Sequence, residues 1–335
     1  MNERAGERSG SVESLVLRAD ERAEIARLGD ETLARRQPWD ALAFTGEAAA
    51  VAQYLPARLR HFLARARTEQ ADVTIVSGLP LSEDLVPTPT GWELAAKTGA
   101  GLREELLCML CAGALGDPFG WSDQQNGRIV HDVCPAPGLE RSLTSASSEL
   151  NLALHTEDVH HPCRSDYVGL LCLRNPDATG TTFVRVDRMD VPDDVREILS
   201  ADRFRFYADD SHENTELDAE QLAGRHENRV SQDGSVLFGP PEFPYLRIDF
   251  DFASALDGKA DAAMSQAFES LRASVERVVL EPGDMAFLDN YRVVHGREPF
   301  SPRYDGHDRW LKRVNVIRDI RRVFVETRSL TRVIV

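Results

Sequence analysis

A chain of 335 residues with 42% hydrophobic and 28% charged side chains can bury a sizeable core, which excludes disorder of the whole. Its formal charge of -16 repels a phosphate backbone or an anionic membrane surface, so nucleic acid and membrane are not expected partners. No stretch approaches the ~18 consecutive apolar residues of a span, MNERAGERSGSVESL lacks an apolar leader core, and five cysteines suit reduced thiols, so a cytoplasmic protein is expected.

The first dozen residues read as frayed. From about Ser14 to Arg67, ERAEIARLGDETLARR and AAAVAQYLPARLRHFLARARTE space apolar residues three and four apart and predict helices. Residues 1–70 are therefore expected as a helical extension packed on a core of residues 71–335, all in one domain. ADVTIVSGLPL predicts a strand, LVPTPTGW a turn-rich link and LREELLCMLCAGALG a buried helix. Cys108 and Cys111 in that helix have metal-ligand spacing, but no second pair completes a site, and they read as core thiols.

From Gly120 onward GRIVHDV, ELNLALHTE, YVGLLCLR, TTFVRV, SVLFG, YLRIDF, VERVVLEPG, MAFLDN, RVVHG and KRVNVIRD are short runs between turn residues. They predict an α+β chain whose strands form a barrel or double sheet, with helices over one outer face. The polar segment near 208–234 predicts a loop over a site.

ELNLALHTE alternates, so His155 and Glu157 point to one face of a strand, and RVVHG delivers His295 after another. Two imidazoles and a carboxylate leave coordination positions open, which suits an Fe(II) oxygenase. The same set also suits a zinc hydrolase. Arg309 and Arg313, four apart in DRWLKRVNV, face the side of His295, and each can grip a carboxylate in bidentate fashion. A keto acid on iron and an amino acid beside it supply two carboxylates, whereas hydrolysis has no special need of two clamps. A non-enzymatic jelly roll that senses such acids is a third reading. His131 reads as a satisfied strand histidine, His160 and His161 as packing groups, His307 as a loop residue, and Asp289 and Asn290 as turn formers.

The blocks DLVPTPTG, FGWSDQQNGRIVHD, HTEDVHHPCRSDYVGLLCLRNPD, PYLRID, PGDMAFLDNYRVVHGREPF and YDGHDRWLKRVNVIRD resemble the clavaminate synthase-like, TauD-related Fe(II)/2-oxoglutarate oxygenases. Within that branch the chain is most similar to the free amino-acid hydroxylases typified by the viomycin-pathway arginine hydroxylase. The resemblance runs from about Leu79 to the C-terminus. It implies a double-stranded β-helix, or jelly roll, with N-terminal and flanking helices. It implies Fe(II), 2-oxoglutarate and O2 as cofactor and cosubstrates, with His155, Glu157 and His295 on the iron. By the same resemblance Arg309 and Thr181 hold the distal carboxylate of 2-oxoglutarate, Arg313 holds the substrate carboxylate, and Gln125 and Glu157 lie near its amine. Relatives grip the side-chain end with loop carboxylates, and here Asp209, Asp210 and Glu242 are the candidates. The expected reaction is hydroxylation of an unactivated β or γ carbon of L-arginine or a related basic amino acid, in antibiotic biosynthesis, with desaturation as the alternative outcome.

Overall fold

The computed structural model describes residues 11–213 and 229–335. Most of the polar loop expected near 208–234 therefore lies outside the described residues. The fold mixes helices with two principal sheets. In the larger, the strand order is Val12–Val16, Val73–Ser77, Met285–Asp289, Tyr167–Arg174, Trp310–Ile317, Asp117–Trp121 and Val333–Ile334, with Val130–Val133 also paired to Trp310–Ile317. In the smaller, the order is Glu276–Val278, Thr181–Arg185, Val293–Arg297 and Leu152–His155.

Period-two alternation sorts the side chains between layers. Val168, Leu170, Cys172, Ala286, Leu288 and Leu311 leave the larger sheet to meet Phe183 and Val293 of the smaller in one buried cluster. On the opposite face Leu171, Leu173, Met285, Phe287, Trp310 and Val316 pack against the helices. The helix Leu102–Leu115 is apolar on all sides and buried, Cys108 and Cys111 included, as free thiols. Gly113 is needed there, because a Cβ would lie 2.6 Å from the carbonyl carbon of Ala48. The outer face of the smaller sheet is covered by helix Gly258–Ala273, which starts where the Asp257 carboxylate accepts from the amides of Lys259 and Ala260.

Three expectations need correction. The N-terminal segment is not helical throughout, since Val12–Val16 pairs in parallel with Val73–Ser77 and forms the edge of the larger sheet. The second half is also less uniformly β than expected, because Asp193–Leu199 and Gly258–Ala273 are helices. The first expected helix is present as Ala19–Arg35, whereas the stretch expected over 48–69 is broken before Pro56 into Ala48–Val51, a short 3-10 turn Ala52–Tyr54 and Ala57–Glu69. No helix among the described residues is long and apolar enough to cross a membrane.

Candidate active site

In the cleft between the sheets, antiparallel pairing sets His295 directly opposite His155. Their rings lie 4.5 Å apart between centroids. Glu157 follows the end of its strand, and its Oε1 is 3.3 Å from Nε2 of His295 and 3.7 Å from Nε2 of His155. One donor atom from each of the three falls within 4.8 Å of the others. His155 Nδ1 donates to the carbonyl of Ala153 at 2.8 Å, which leaves the Nε2 lone pair facing the cluster. Gly296 lets the strands close, because a Cβ there would stand 2.4 Å from the carbonyl oxygen of Leu152.

The electrostatics call for a cation here. Burial disfavours charge on His155, yet the hydrogen bond and charge of Glu157, helped by Asp249, outweigh it and raise the imidazole to about 9. Burial likewise opposes ionisation of Glu157, but Arg313 and the two imidazoles hold its carboxyl well below the usual range. The donor set therefore fits a divalent ion with coordination positions left over.

Glu157 is steadied from behind by a residue read from sequence as a turn former. Asn290 accepts from the Glu157 amide at 2.8 Å and donates to the Glu157 carbonyl at 3.1 Å and to that of Ser165 at 3.0 Å. It thus replaces the strand partner that Glu157 lacks.

Arg309, Leu311 and Arg313 line the cleft from the larger sheet, and Thr181, rather than its neighbour Thr182, lines it from the smaller. Arg309 is buried, and no described residue pairs with its guanidinium; its Nε has no acceptor. Burial lowers it to about 10. An unpaired guanidinium out of water is costly unless an anion arrives to meet it. Arg297 lies nearby, its donors taken by carbonyls of Ser147, Leu150 and Glu298. Arg313 has the opposite character. Its Nη1 donates to both oxygens of Glu157 at 3.2 and 3.1 Å, and its Nη2 donates to Gln124 Oε1 at 3.0 Å and His131 Nδ1 at 2.8 Å.

The resemblance pointed to Gln125, but that amide is spent on main chain, donating to the carbonyl of Asp132 at 2.9 Å and accepting from its amide at 3.0 Å. Left-handed backbone at Gln125 and Asn126 turns the block so that Gln124 faces Arg313 instead. The carboxylates also redistribute. Asp209 lines the cleft, whereas Asp210 is buried in an ion pair with Arg229 at 2.5 Å, and Glu242 is exposed away from the cleft. Asp249 and Asp251, which follow the PYLRI run, line the cleft in their place. Burial raises Asp249 to about 7. A turn places this pair, in which Asp249 Oδ1 accepts from the amides of Asp251 at 2.7 Å and Phe252 at 2.9 Å.

The segment carrying Asp209 is docked through His212, which the sequence reading passed over. Its Nδ1 meets Asp123 at 3.2 Å and its Nε2 meets Asp158 at 2.9 Å, while Trp121 donates to the other oxygen of Asp158 at 3.0 Å.

A His-Glu-His triad lining the same cleft as an uncompensated guanidinium fits a mononuclear iron oxygenase that takes an acidic cosubstrate. Known proteins agree. Residues 113–315 match the taurine catabolism dioxygenase TauD, TfdA family. The chain is 39% identical over 328 residues to enduracididine beta-hydroxylase of Streptomyces hygroscopicus, covering 92% of this chain and 95% of that one. It is 38% identical over 291 residues to L-ornithine/L-arginine 3-hydroxylase of Catenulispora acidiphila, covering 81% and 84%. The crystal structure of the non-heme iron oxygenase OrfP with Fe, succinate and (3S)-hydroxy-L-Arg superposes with a TM-score of 0.85 at 34% identity, covering 96% of this chain and 99% of that one. The chain belongs to the TauD/TfdA family and is a 2-oxoglutarate-dependent dioxygenase using Fe(II) and O2.

Proposed function

We propose that the protein hydroxylates an unactivated β or γ carbon of a free L-amino acid with a long basic side chain, L-arginine or a close relative, within natural-product biosynthesis. The observation that carries this is the make-up of the cleft: Arg309, without a described partner, and the carboxylates of Asp209, Asp249 and Asp251 line it together with the triad. The two facing sheets are read as the jelly roll of this family. Its relatives by name act on enduracididine, ornithine and arginine, and OrfP holds hydroxy-arginine, which supports a cationic substrate.

In this reading His155, Glu157 and His295 hold the iron, which when bound supplies oxidative decarboxylation of 2-oxoglutarate and the oxidising power to break a C–H bond. Arg309 and Thr181 receive the distal carboxylate of the cosubstrate. Arg313 receives the α-carboxylate of the amino acid, and Gln124 and Glu157 stand on the amine side. A buried cation needs a paired carboxylate, and the three aspartates offer it to the side chain. The geometry then sets which carbon faces the metal.

The test is turnover of a panel of L-amino acids with Fe(II) and 2-oxoglutarate, read as succinate formed and product mass. Addition of one oxygen to L-arginine or a basic relative is expected. Loss of two hydrogens would replace hydroxylation by desaturation, and a preference for acidic or purely apolar amino acids would overturn the substrate class.

A further inference from the structure

Arg313 sits in the middle of its strand with His131 directly opposite in the register of Val130–Val133 against Trp310–Ile317. Side chains of such a pair share a face and lie close enough to interact. Here they touch, Nη2 of Arg313 donating to Nδ1 of His131 at 2.8 Å. The other imidazole nitrogen, Nε2, is 3.0 Å from the carbonyl oxygen of Arg128. A carbonyl only accepts, so Nε2 carries the proton and Nδ1 presents its lone pair to Arg313. The ring is buried, and burial together with the nearby Arg313 charge holds it neutral by pushing its pKa well below the ordinary value. Its strand is fixed in turn by the Gln125 amide on both main-chain groups of Asp132.

This arrangement has a consequence for the guanidinium. A long arginine facing Glu157 would ordinarily form a fork-to-fork pair with both oxygens. His131 and Gln124 together hold Nη2 away, so only Nη1 reaches Glu157, and Nε, buried and without a partner, remains to donate. His131 itself touches none of the three metal ligands.

We propose that His131 is a positioning residue for substrate selection: it orients Arg313 so that the unused Nε–H of the guanidinium receives the α-carboxylate of the amino acid. The inference rests on the reading that Arg313 binds that carboxylate. Loss of the Nδ1 acceptor frees Nη2 and lets the fork turn onto Glu157, which removes the donor from the substrate while leaving the separate Arg309 end intact.

The test compares L-arginine with L-argininamide, which lacks the carboxylate charge, binding to enzyme loaded anaerobically with metal and 2-oxoglutarate. The proteins are wild type, Arg313→Ala, His131→Leu, which has no acceptor, and His131→Asn, whose amide oxygen falls near the place of Nδ1. Wild type is expected to prefer the acid over the amide by at least about tenfold, one well-formed charged contact being worth roughly that ratio. Arg313→Ala and His131→Leu should lose the preference, and His131→Asn should keep most of it. Equal loss of affinity for both ligands in His131→Leu, with the ratio preserved, would show a merely structural role and overturn the inference. So would a retained ratio in His131→Leu beside a lost one in Arg313→Ala, with the parent reading left standing. If wild type binds neither ligand, or treats both alike, the reading of Arg313 fails and takes this inference with it. Circular dichroism and 2-oxoglutarate affinity, both expected unchanged, show that each variant is folded; if His131→Leu is not, failure of the folded His131→Asn variant to retain the preference overturns the inference.

Discussion

The two ends of the cleft are built on the same strand face and solved in opposite ways. Arg309 and Arg313 are four residues apart and both line the site, yet Arg309 is buried with no described partner while Arg313 donates to Glu157, Gln124 and His131. The first end stands ready for an anion and is strained without one. At the second both Nη atoms are engaged and only Nε is left to donate, so a substrate carboxylate must join an existing network. On the proposed assignment of the two arginines, the contrast teaches that unmet charge would select at the cosubstrate end and geometry at the substrate end.

The triad lines the same cleft, and breaking it removes the reference for both. His155→Ala or His295→Ala should abolish metal binding and turnover together, read by metal analysis and succinate formation. Full iron occupancy with activity in either variant would dissolve the assignment.

The asymmetry itself predicts a split. Arg309→Met removes the charged partner proposed for the cosubstrate carboxylate, a loss of about 2–5 kcal/mol, and should raise the KM for 2-oxoglutarate by ~30-fold or more with little change for the amino acid. The same substitution relieves an unpaired buried charge, so without 2-oxoglutarate the variant should melt at a higher temperature than wild type. Arg313→Met should melt lower, because it strands the acceptors on Glu157, Gln124 and His131. Matching shifts in the two variants would erase the distinction.

At the substrate end, Asp249→Asn or Asp251→Asn should lower turnover of a cationic amino acid by about tenfold or more without moving 2-oxoglutarate affinity. Glu242→Gln, on an exposed residue outside the cleft, should do nothing measurable.

The smallest expected effect concerns the segment that carries Asp209. Burial opposes a charge on His212, but Asp123 and Asp158 outweigh it and raise the imidazole from 6.5 to about 10. A raised folded-state value means stability that is complete below 6.5 and declines as the pH climbs through about 10. The stability difference between wild type and His212→Gln in denaturant melts should therefore be largest near pH 6 and shrink toward pH 10.

Much of this site was legible in the sequence because strand periodicity is a strong rule. Alternation places His155 and Arg313 within their strands, while Glu157 just past one strand and Arg309 just before another keep the side that alternation assigns them. What was not legible depended on backbone that departs from it. The choice between Gln124 and Gln125 turns on left-handed residues in a short turn, and no pattern of side chains announces that. Asn290 looked like a turn residue because its clamp on Glu157 spans 133 positions. Asp249 and Asp251 reach the cleft through a turn closed by the Asp249 carboxylate on the amides of Asp251 and Phe252, which strand alternation does not announce. Helix Gly258–Ala273 was passed over despite Asp257 as a cap and Ala260, Ala263, Met264, Ala267 and Leu271 at helical spacing. Val12–Val16 becomes a strand only because Val73–Ser77 offers it an edge, a partner invisible in a local window.

The most direct test is anaerobic addition of Fe(II) and then 2-oxoglutarate to the wild type and to Arg309→Met, followed by visible absorption of the keto-acid chelate. The wild type should develop the charge-transfer band at low 2-oxoglutarate, Arg309→Met should need about 30-fold more, and His295→Ala should show none at any concentration. A band of equal strength and affinity in all three would contradict both the metal triad and the role of Arg309.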